Sequence, residues 1–495
     1  MTTAVGEELA ALAEYVSTCP LDEIPEPVRE HARGLILDQI GVSLTGARQA
    51  AYRELLAATA GLGLDGTGPA LVLAPGAPRR SPYAATLLNA AASHLSELGE
   101  GVSRAVVHAS NAVVPAALAY ADAHPVTGEQ LLRAVALGCE TLIRFGIAVN
   151  LPPGSAGQGD VAAAYLRGWW TPIVLAPVGA ATAWVLLGGG GNGELREAWA
   201  TALNLAPAAG VPFILGGAST KGLGMGVGCA TGIAAAEVAL RQRPAAEPVS
   251  ARPVGEAGYD PLTGWMPLLV PEPNPTALVR ELGREWELDY PLYKYIATVG
   301  PLHAAAEAVF DLLAAHPIEP AEVVDVLVEG YQRTVQFLGR PYPHTAEEAK
   351  TSLAHTLAVA LVTGDRRALL HEGFEPAARS NLEIGRIAGL VRAVREPQFH
   401  AEYPRRSAKA RLTVTTRTAQ QHTTEVDRDA LGRYHRPSRD DLTGKFVDAT
   451  GHLLAEADAR RLAERVWSIE QVLRAGDLTD TIARLLAGQA GEATP

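Results

Sequence analysis

The sequence predicts a mainly α-helical protein with a smaller α+β domain in its second half. Three observations lead to this fold class. In most of the first half, apolar residues recur at three- and four-residue spacing, which is typical of helices that bury one face. In the second half, alternating apolar and polar residues indicate strands, and helical periodicity returns near the end. The 495 residues also exceed what one hydrophobic core usually supports, so at least two domains are expected.

The first half is predicted to be helical throughout. Pro27 suits the first turn of a helix, and Thr127 followed by Gln130 resembles a capping box. The glycines at 188–191 lack the spacing of a phosphate-binding loop, so they are predicted to end a helix. The predicted helices of this half are residues 7–17, 27–44, 82–95, 112–123, 128–149 and 173–187.

A polar, proline-rich stretch after Leu240 indicates a domain boundary, and we place the start of the second domain near residue 271. An α+β domain is predicted over residues 271–435, after a first helical part at 1–270 and before C-terminal helices at 436–495. The elements predicted after the boundary are strands at 321–331 and 408–418, helices at 302–315 and 346–362, and helical periodicity over 439–487.

Composition excludes several classes of protein. A net charge of −12 and a pI near 5.6 argue against a nucleic-acid-binding surface, which needs clustered cations. Three scattered cysteines form neither a disulfide framework nor a cysteine zinc site. The first residues do not resemble a secretory signal, and the apolar segment 173–187 is shorter than the roughly 20 residues that span a bilayer. We therefore expect a cytoplasmic protein that binds no membrane.

Acid and base groups are concentrated in residues 88–115, where His94, Glu97, Glu100 and His108 share a short, otherwise apolar segment. A carboxylate and an imidazole in a partly dry cleft can divide proton removal and proton return between them. An alternative stays open. Glu97 and Glu100 are three residues apart, so on a helix both could lie on one solvated face. Histidines are also more often structural than catalytic.

Short motifs follow one another along nearly the whole chain. They lie at 24–46, 89–94, 108–110, 220–223, 293–294, 340–341, 348–352 and 442–446. In this order they resemble the MmgE/PrpD family, which includes 2-methylcitrate dehydratase, cis-aconitate decarboxylase and iminodisuccinate epimerase. The resemblance implies a helical domain completed by the C-terminal helices, an inserted α+β lid, and an active site between them. It also implies a homodimer that uses neither a metal nor an organic cofactor.

The resemblance assigns roles to individual residues. Lys221 and Lys294 resemble the two substrate-binding lysines of the family, and His108 resembles its histidine before proline-serine. Glu97 lies near the family's first catalytic aspartate, and Glu100 belongs to the same acidic loop. His303 also matches a histidine of the family. From the residues alone, Lys221 could instead be a surface cation, Lys294 a solvated loop residue, and His303 a packing residue.

At several positions the chain departs from the family pattern. Trp169 and Trp170 stand where the family typically has phenylalanine and histidine. Gly224 and Val299 replace expected histidines, and Phe337 replaces a tyrosine. These changes predict a cleft that is more apolar and more open than is usual for the family.

The predicted function is therefore that of a divergent lyase. It would abstract a proton next to a carboxylate or carbonyl and release water or carbon dioxide. The substrate is expected to be a larger, less charged organic acid or ketone than a tricarboxylate, in keeping with a role in specialised metabolism. Two alternatives remain: an isomerase, epimerase or cyclase that uses the same proton abstraction, and a catalytically silent binding subunit.

Overall fold

The fold was determined as a computed structural model that describes residues 2–153, 163–216, 220–242, 264–402 and 409–490. Helices dominate the described residues, and a four-stranded sheet lies in the second half. This arrangement confirms the predicted fold class.

The first part of the chain contains all six predicted helices, with ends that differ by a few residues. The predicted segment 173–187 is divided into Thr171–Val174 and a longer helix that begins at Ala176. The capping box between Thr127 and Gln130 is present. The long helices are α1 (Thr2–Thr18), α2 (Glu26–Gly46), α3 (Ala50–Gly61), α4 (Pro82–Ser96), α5 (Ala109–Ala123), α6 (Gly128–Asn150), α7 (Ala176–Leu187), α8 (Asn192–Asn204) and α9 (Thr220–Arg241).

Helix α9 is long and apolar enough to cross a membrane by length and composition, although it packs here against α4, α7 and α8. Glycines allow this packing. A Cβ atom at Gly226 would lie 2.4 Å from the carbonyl oxygen of Leu87, and one at Gly232 would lie 2.3 Å from that of Pro177. Helix α9 is therefore a core helix of the first part, and its first turn carries Lys221.

The sheet of the second half has the order β3-β2-β4-β5, in which β2 and β3 are parallel and the other pairs antiparallel. The predicted strands at 321–331 and 408–418 are confirmed as β2 and β4, whereas β3 and β5 were not predicted. Helix α10 packs against β4 and β5. The elements are β1 (Thr67–Ala70, outside this sheet), β2 (Val323–Gly330), β3 (Val391–Arg395), β4 (Lys409–Thr416), β5 (Gln421–Asp427), α10 (His303–Ala315), α11 (Leu353–Thr363) and α12 (Leu382–Ala388).

Three C-terminal helices confirm the helical periodicity predicted over 439–487: α13 (Arg439–Thr450), α14 (Glu456–Trp467) and α15 (Gly476–Ala490). Short α-helices occupy Ala163–Leu166, Val211–Leu215, Met266–Leu269, Gln332–Gln336, Ala346–Lys350, Pro376–Arg379, Pro397–Glu402 and Gly432–His435. Turns of 3-10 helix occupy Leu21–Glu23, Pro275–Leu278, Glu287–Asp289, Gly300–Leu302, Pro320–Glu322, Arg366–Leu369, Glu372–Phe374, Arg428–Ala430 and Ile469–Gln471.

Two hydrophobic cores organise these elements. The first core contains apolar residues from Leu9 to Tyr293 together with residues from Leu442 to Leu486. The second is built mainly from residues between Ile296 and Val426. The chain therefore passes from one core to the other just after Tyr293, beyond the predicted boundary near residue 271. The candidate site lies where the two cores meet.

Candidate active site

The loop between α4 and α5 carries the acid and base residues. Helix α4 ends because Glu97 adopts a left-handed backbone, with φ 56° and ψ 17°. Val106 is also left-handed, with φ 49°, which is a strained conformation for a β-branched residue. The loop is held by mutual main-chain hydrogen bonds between Gly101 and Leu292, of 3.0 and 2.7 Å. Backbone strain of this kind concentrates at functional sites.

This loop forms one wall of a cleft with an empty volume of about 870 Å³, including its mouth. The other walls are formed by the start of α9, by residues 165–172, 292–301 and 331–337, and by Arg428. Seven of the predicted site residues line this cleft: Glu97, His108, Trp170, Lys221, Lys294, Val299 and Phe337.

Two lysines share the carboxylate of Glu97. Lys221 Nζ contacts Glu97 Oε1, and Lys294 Nζ lies 3.3 Å from Glu97 Oε2. All three side chains are buried. Burial lowers the pKa of Lys294 to about 8 and lowers the pKa of Lys221 as well, with the neighbouring lysine adding to the effect at Lys221. One carboxylate cannot balance two ammonium groups, so the pair can bind a further anion.

His108 has a fixed tautomer. Its Nδ1 lies 2.5 Å from the main-chain oxygen of Glu100. A carbonyl oxygen can only accept a hydrogen bond, so Nδ1 carries the hydrogen and Nε2 carries the lone pair. Burial and the charge of Lys294 lower the pKa of His108 to about 3. The ring is therefore neutral near pH 7 and presents a basic nitrogen.

Glu100 belongs to the same loop, but its side chain is buried and is not part of the cleft lining. Its Oε1 accepts the main-chain N–H of Ser110 in the first turn of α5, at 2.5 Å. Burial raises its pKa to about 7. His94 is buried beside His108, with the two ring centroids 5.3 Å apart. Of the two glutamates, Glu97 is therefore the one that faces the cleft.

Three further predicted residues also lie outside the cleft lining. Trp169 forms an isolated bridge with Gly210. A Cβ atom at Gly224 would lie 2.8 Å from Ile173 Cδ1, so the small residue serves helix packing and does not open the pocket. His303 is fully buried, with Nε2 3.3 Å from the main-chain oxygen of Thr298. The structure thus places His303 as a packing residue.

Two arginines and two tyrosines in the cleft lining were not predicted: Arg333, Arg428, Tyr165 and Tyr331. Arg428 donates from Nη1 to the main-chain oxygen of Gly300, at 3.0 Å. No short motif in the sequence surrounds either arginine. Their positions follow only from the way in which the second core meets the first.

Cations and aromatic rings alternate along one wall. The guanidinium of Arg333 lies 4.5 Å from the ring centroid of Tyr165, which lies 6.0 Å from that of Trp170. Lys221 Nζ lies 5.2 Å from the ring centroid of Trp170. Such contacts stabilise buried cations while leaving an apolar surface between them.

No group of three histidine, cysteine, aspartate or glutamate side chains is placed to hold a metal ion in the part of the chain that the structure describes. The sequence was compared with protein families. Residues 10–260 match the MmgE/PrpD N-terminal domain, and residues 297–471 match the MmgE/PrpD C-terminal domain. The chain belongs to the MmgE/PrpD family. The resemblance inferred from its short motifs is confirmed.

Curated relatives of the chain include decarboxylases. Cis-aconitate decarboxylase from Aspergillus terreus (strain NIH 2624 / FGSC A1156) is 29% identical over 145 residues, which cover 28% of this chain and 29% of the relative. Cis-aconitate decarboxylase-like protein oryM from Aspergillus oryzae (strain ATCC 42149 / RIB 40) is 25% identical over 505 residues, with 99% of each chain covered. These names, and the dehydratases and decarboxylases of the family, agree with the predicted reaction class.

Proposed function

We propose that the protein is a lyase that breaks a carbon–oxygen or carbon–carbon bond next to a carboxylate, with His108 as the proton-transfer group. The observation that carries this proposal is the His108 tautomer, which presents an unprotonated Nε2 in a cleft that also contains Lys221 and Lys294. A base beside two cations is what the removal of a proton next to a carboxylate requires. Membership of a family that includes dehydratases and decarboxylases supports the same class.

In the dehydratase reaction, a substrate carboxylate binds between Lys221 and Lys294. The Nε2 atom of His108 takes a proton from the adjacent carbon, and the ammonium groups stabilise the enolate-like charge. The electron pair then forms a double bond as the neighbouring hydroxyl leaves, with the imidazolium returning the proton to form water. Anionic substrate raises the pKa of His108, because negative charge favours the imidazolium.

In the decarboxylase reaction, the carbon–carbon bond to a carboxylate breaks and the electron pair stays on the remaining fragment. The same ammonium groups stabilise this carbanion, and protonated His108 supplies its proton. The neutral ring of His108 suits the first reaction better, because that reaction begins with a base.

We further propose a substrate with fewer carboxylates than a tricarboxylate and with an apolar portion. Val299, Phe337 and Trp170 supply apolar surface in the cleft. Part of the positive charge of the lysines is already balanced by Glu97. As the family resemblance implies, the enzyme would act without a metal or organic cofactor and as a homodimer.

A mass-resolved activity assay tests this function. The purified protein is incubated with cis-aconitate, with 2-methylcitrate, and with an acidic metabolite fraction of the producing organism. A product lighter than its substrate by water or by carbon dioxide, absent with the H108N variant, would support the lyase. A product of unchanged mass would instead indicate an isomerase or cyclase. Failure to turn over or bind any acid, together with tight binding to a partner protein, would indicate a silent binding subunit.

A further inference from the structure

The C-terminal end of α4 is bound by a lysine from the second core. Lys350 ends the short helix Ala346–Lys350, and its Nζ lies 2.9 Å from the main-chain oxygen of Leu95 and 3.3 Å from that of Ser96. The last carbonyl groups of a helix lack partners within the helix and carry partial negative charge. The ammonium group of Lys350 therefore binds where the helix needs a cation.

The next two carbonyl groups along the chain are also bound by lysines. Lys294 Nζ lies 3.2 Å from the main-chain oxygen of Glu97, and Lys445 Nζ lies 3.0 Å from that of Leu98. Lys445 additionally forms an ion pair with Asp38 of α2. Three distant parts of the chain thus hold four consecutive carbonyl groups, at the point where the active-site loop begins.

Lys350 differs from these two lysines in its charge balance. Its side chain is buried, and among the described residues no carboxylate lies within salt-bridge distance of its Nζ, whereas Glu347 and Glu375 act on it from farther away. Burial lowers its pKa to about 8. An ammonium group buried without a direct ion pair is unfavourable for folding, and an apolar side chain of similar length often leaves a protein as stable or more stable. Fold stability alone therefore does not account for a lysine at this position.

We propose that Lys350 is a positioning residue for the reaction in the cleft. By holding the end of α4, it fixes the left-handed turn at Glu97 and hence the carboxylate that Lys221 and Lys294 share. Because Lys350 belongs to the second core, this contact also makes the geometry of the loop depend on how the two cores dock. The proposal rests on the proposed function only insofar as the cleft is the place of catalysis.

The test compares K350M with K350R and with K409M in the full chain. K409M is the control. It also replaces a lysine with methionine, but on β4, where Lys409 pairs with Glu402. We measure hydrogen exchange in residues 97–108, the Tm, and kcat and KM for an acid that the assay above shows to be turned over. For K350M we expect faster exchange, an unchanged or higher Tm, and a loss of kcat of about 10- to 100-fold, the scale of an ångström-sized misplacement.

K350R, which keeps a cation at this position, should recover part of kcat, and K409M should match the wild type in exchange and kcat. Unchanged exchange and kcat in K350M would overturn the proposal. So would a fall in Tm that K350R does not reverse, because that result indicates a purely structural role. If the wild type turns over no acid, the proposed function fails, whereas hydrogen exchange still decides whether Lys350 orders the loop.

Discussion

The Nδ1 atom of His108 donates to the main-chain oxygen of Glu100, eight residues earlier in the same loop. This single contact decides which ring nitrogen is basic. It depends on a main-chain group, so no side chain of the loop needs to supply the acceptor. The loop backbone is therefore part of the catalytic arrangement, and changes in its shape should alter the chemistry before they alter the fold.

His108→Asn separates these two roles of the ring. The amide Nδ2 can occupy the position of imidazole Nδ1 and keep the hydrogen bond to Glu100, whereas the basic nitrogen is lost. We expect turnover to fall by about 10²- to 10⁴-fold, the usual contribution of a general base, with little change in Tm. Steady-state kinetics and thermal unfolding test this, with H316N at an exposed histidine as the control. Substantial turnover in H108N would remove His108 from the mechanism.

Gly101→Ala tests whether the position of the ring matters. A Cβ atom at this residue would lie 3.1 Å from Nδ1 of His108 and 3.2 Å from Cε1, so the ring must move by a few tenths of an ångström. We expect kcat to fall by about three- to tenfold, with a smaller change in KM. Gly193→Ala is the matched control, because a Cβ atom there meets no heavy atom within 4 Å. Equal kcat in both variants would contradict the prediction.

Trp170→Leu removes the aromatic ring beside Lys221 and leaves an apolar side chain. A desolvated cation–π contact contributes about 2 kcal/mol, so we expect KM for an anionic substrate to rise by up to about 30-fold. Trp170→Phe should have a smaller effect, since it retains an aromatic face. Trp169→Leu is the control, because Trp169 lies outside the cleft lining. If the control raises KM as much as Trp170→Leu does, the contact with Lys221 is not the cause.

Activity and stability should depend on pH in opposite directions above pH 8. The pKa of Lys294 is about 8 in the fold against 10.5 for an ordinary lysine, with Glu97, Glu100 and Arg428 as its charged neighbours. As Lys294 loses its proton, the cleft loses positive charge, so kcat/KM for an anion should fall by about tenfold per pH unit. Between pH 8 and 10.5 the unfolded chain binds more protons at this residue, so its contribution to the free energy of unfolding rises with pH.

Rate profiles and denaturant unfolding between pH 7 and 10 measure the two trends. Lys294→Met removes the titrating group, and the increase of the free energy of unfolding with pH should become smaller in this variant. A level kcat/KM from pH 7 to 10 would show that Lys294 does not need its proton for substrate binding.

Two of the elements that were not predicted lack a clear apolar period. Helix α9 is packed on several sides, so its apolar and small residues do not form a single stripe. Strand β5 is a largely polar edge strand that pairs only with β4, so its sequence shows little alternation of apolar and polar residues. Both kinds of element become evident only through their neighbours in space.

The same limit applies to the candidate site. Glu97, His108, Lys221 and Lys294 belong to sequence motifs, and the structure brings them together in one cleft. No sequence motif marks Arg333 or Arg428. They reach the cleft only because the second core docks against the first. Gly224 shows the opposite error. The small size of Gly224 suggested an open pocket, whereas the missing side chain in fact lets α9 pack closely against Ile173.

The first core joins the two ends of the chain, and this has a consequence for biosynthesis. Arg33 of α2 hydrogen-bonds to Glu470, and Gly34 lies against the side chains of Leu442 and Trp467. While the ribosome is still adding residues 296–440, α2 can already pack against α4, α5 and α6, but the part of its surface that meets α13 and α14 has no partner. The second core can largely close earlier, since most of its residues lie in one continuous stretch, 296–426. The half that is synthesised first is thus the half that matures last, and the nascent chain depends on protection from aggregation until its final helices emerge.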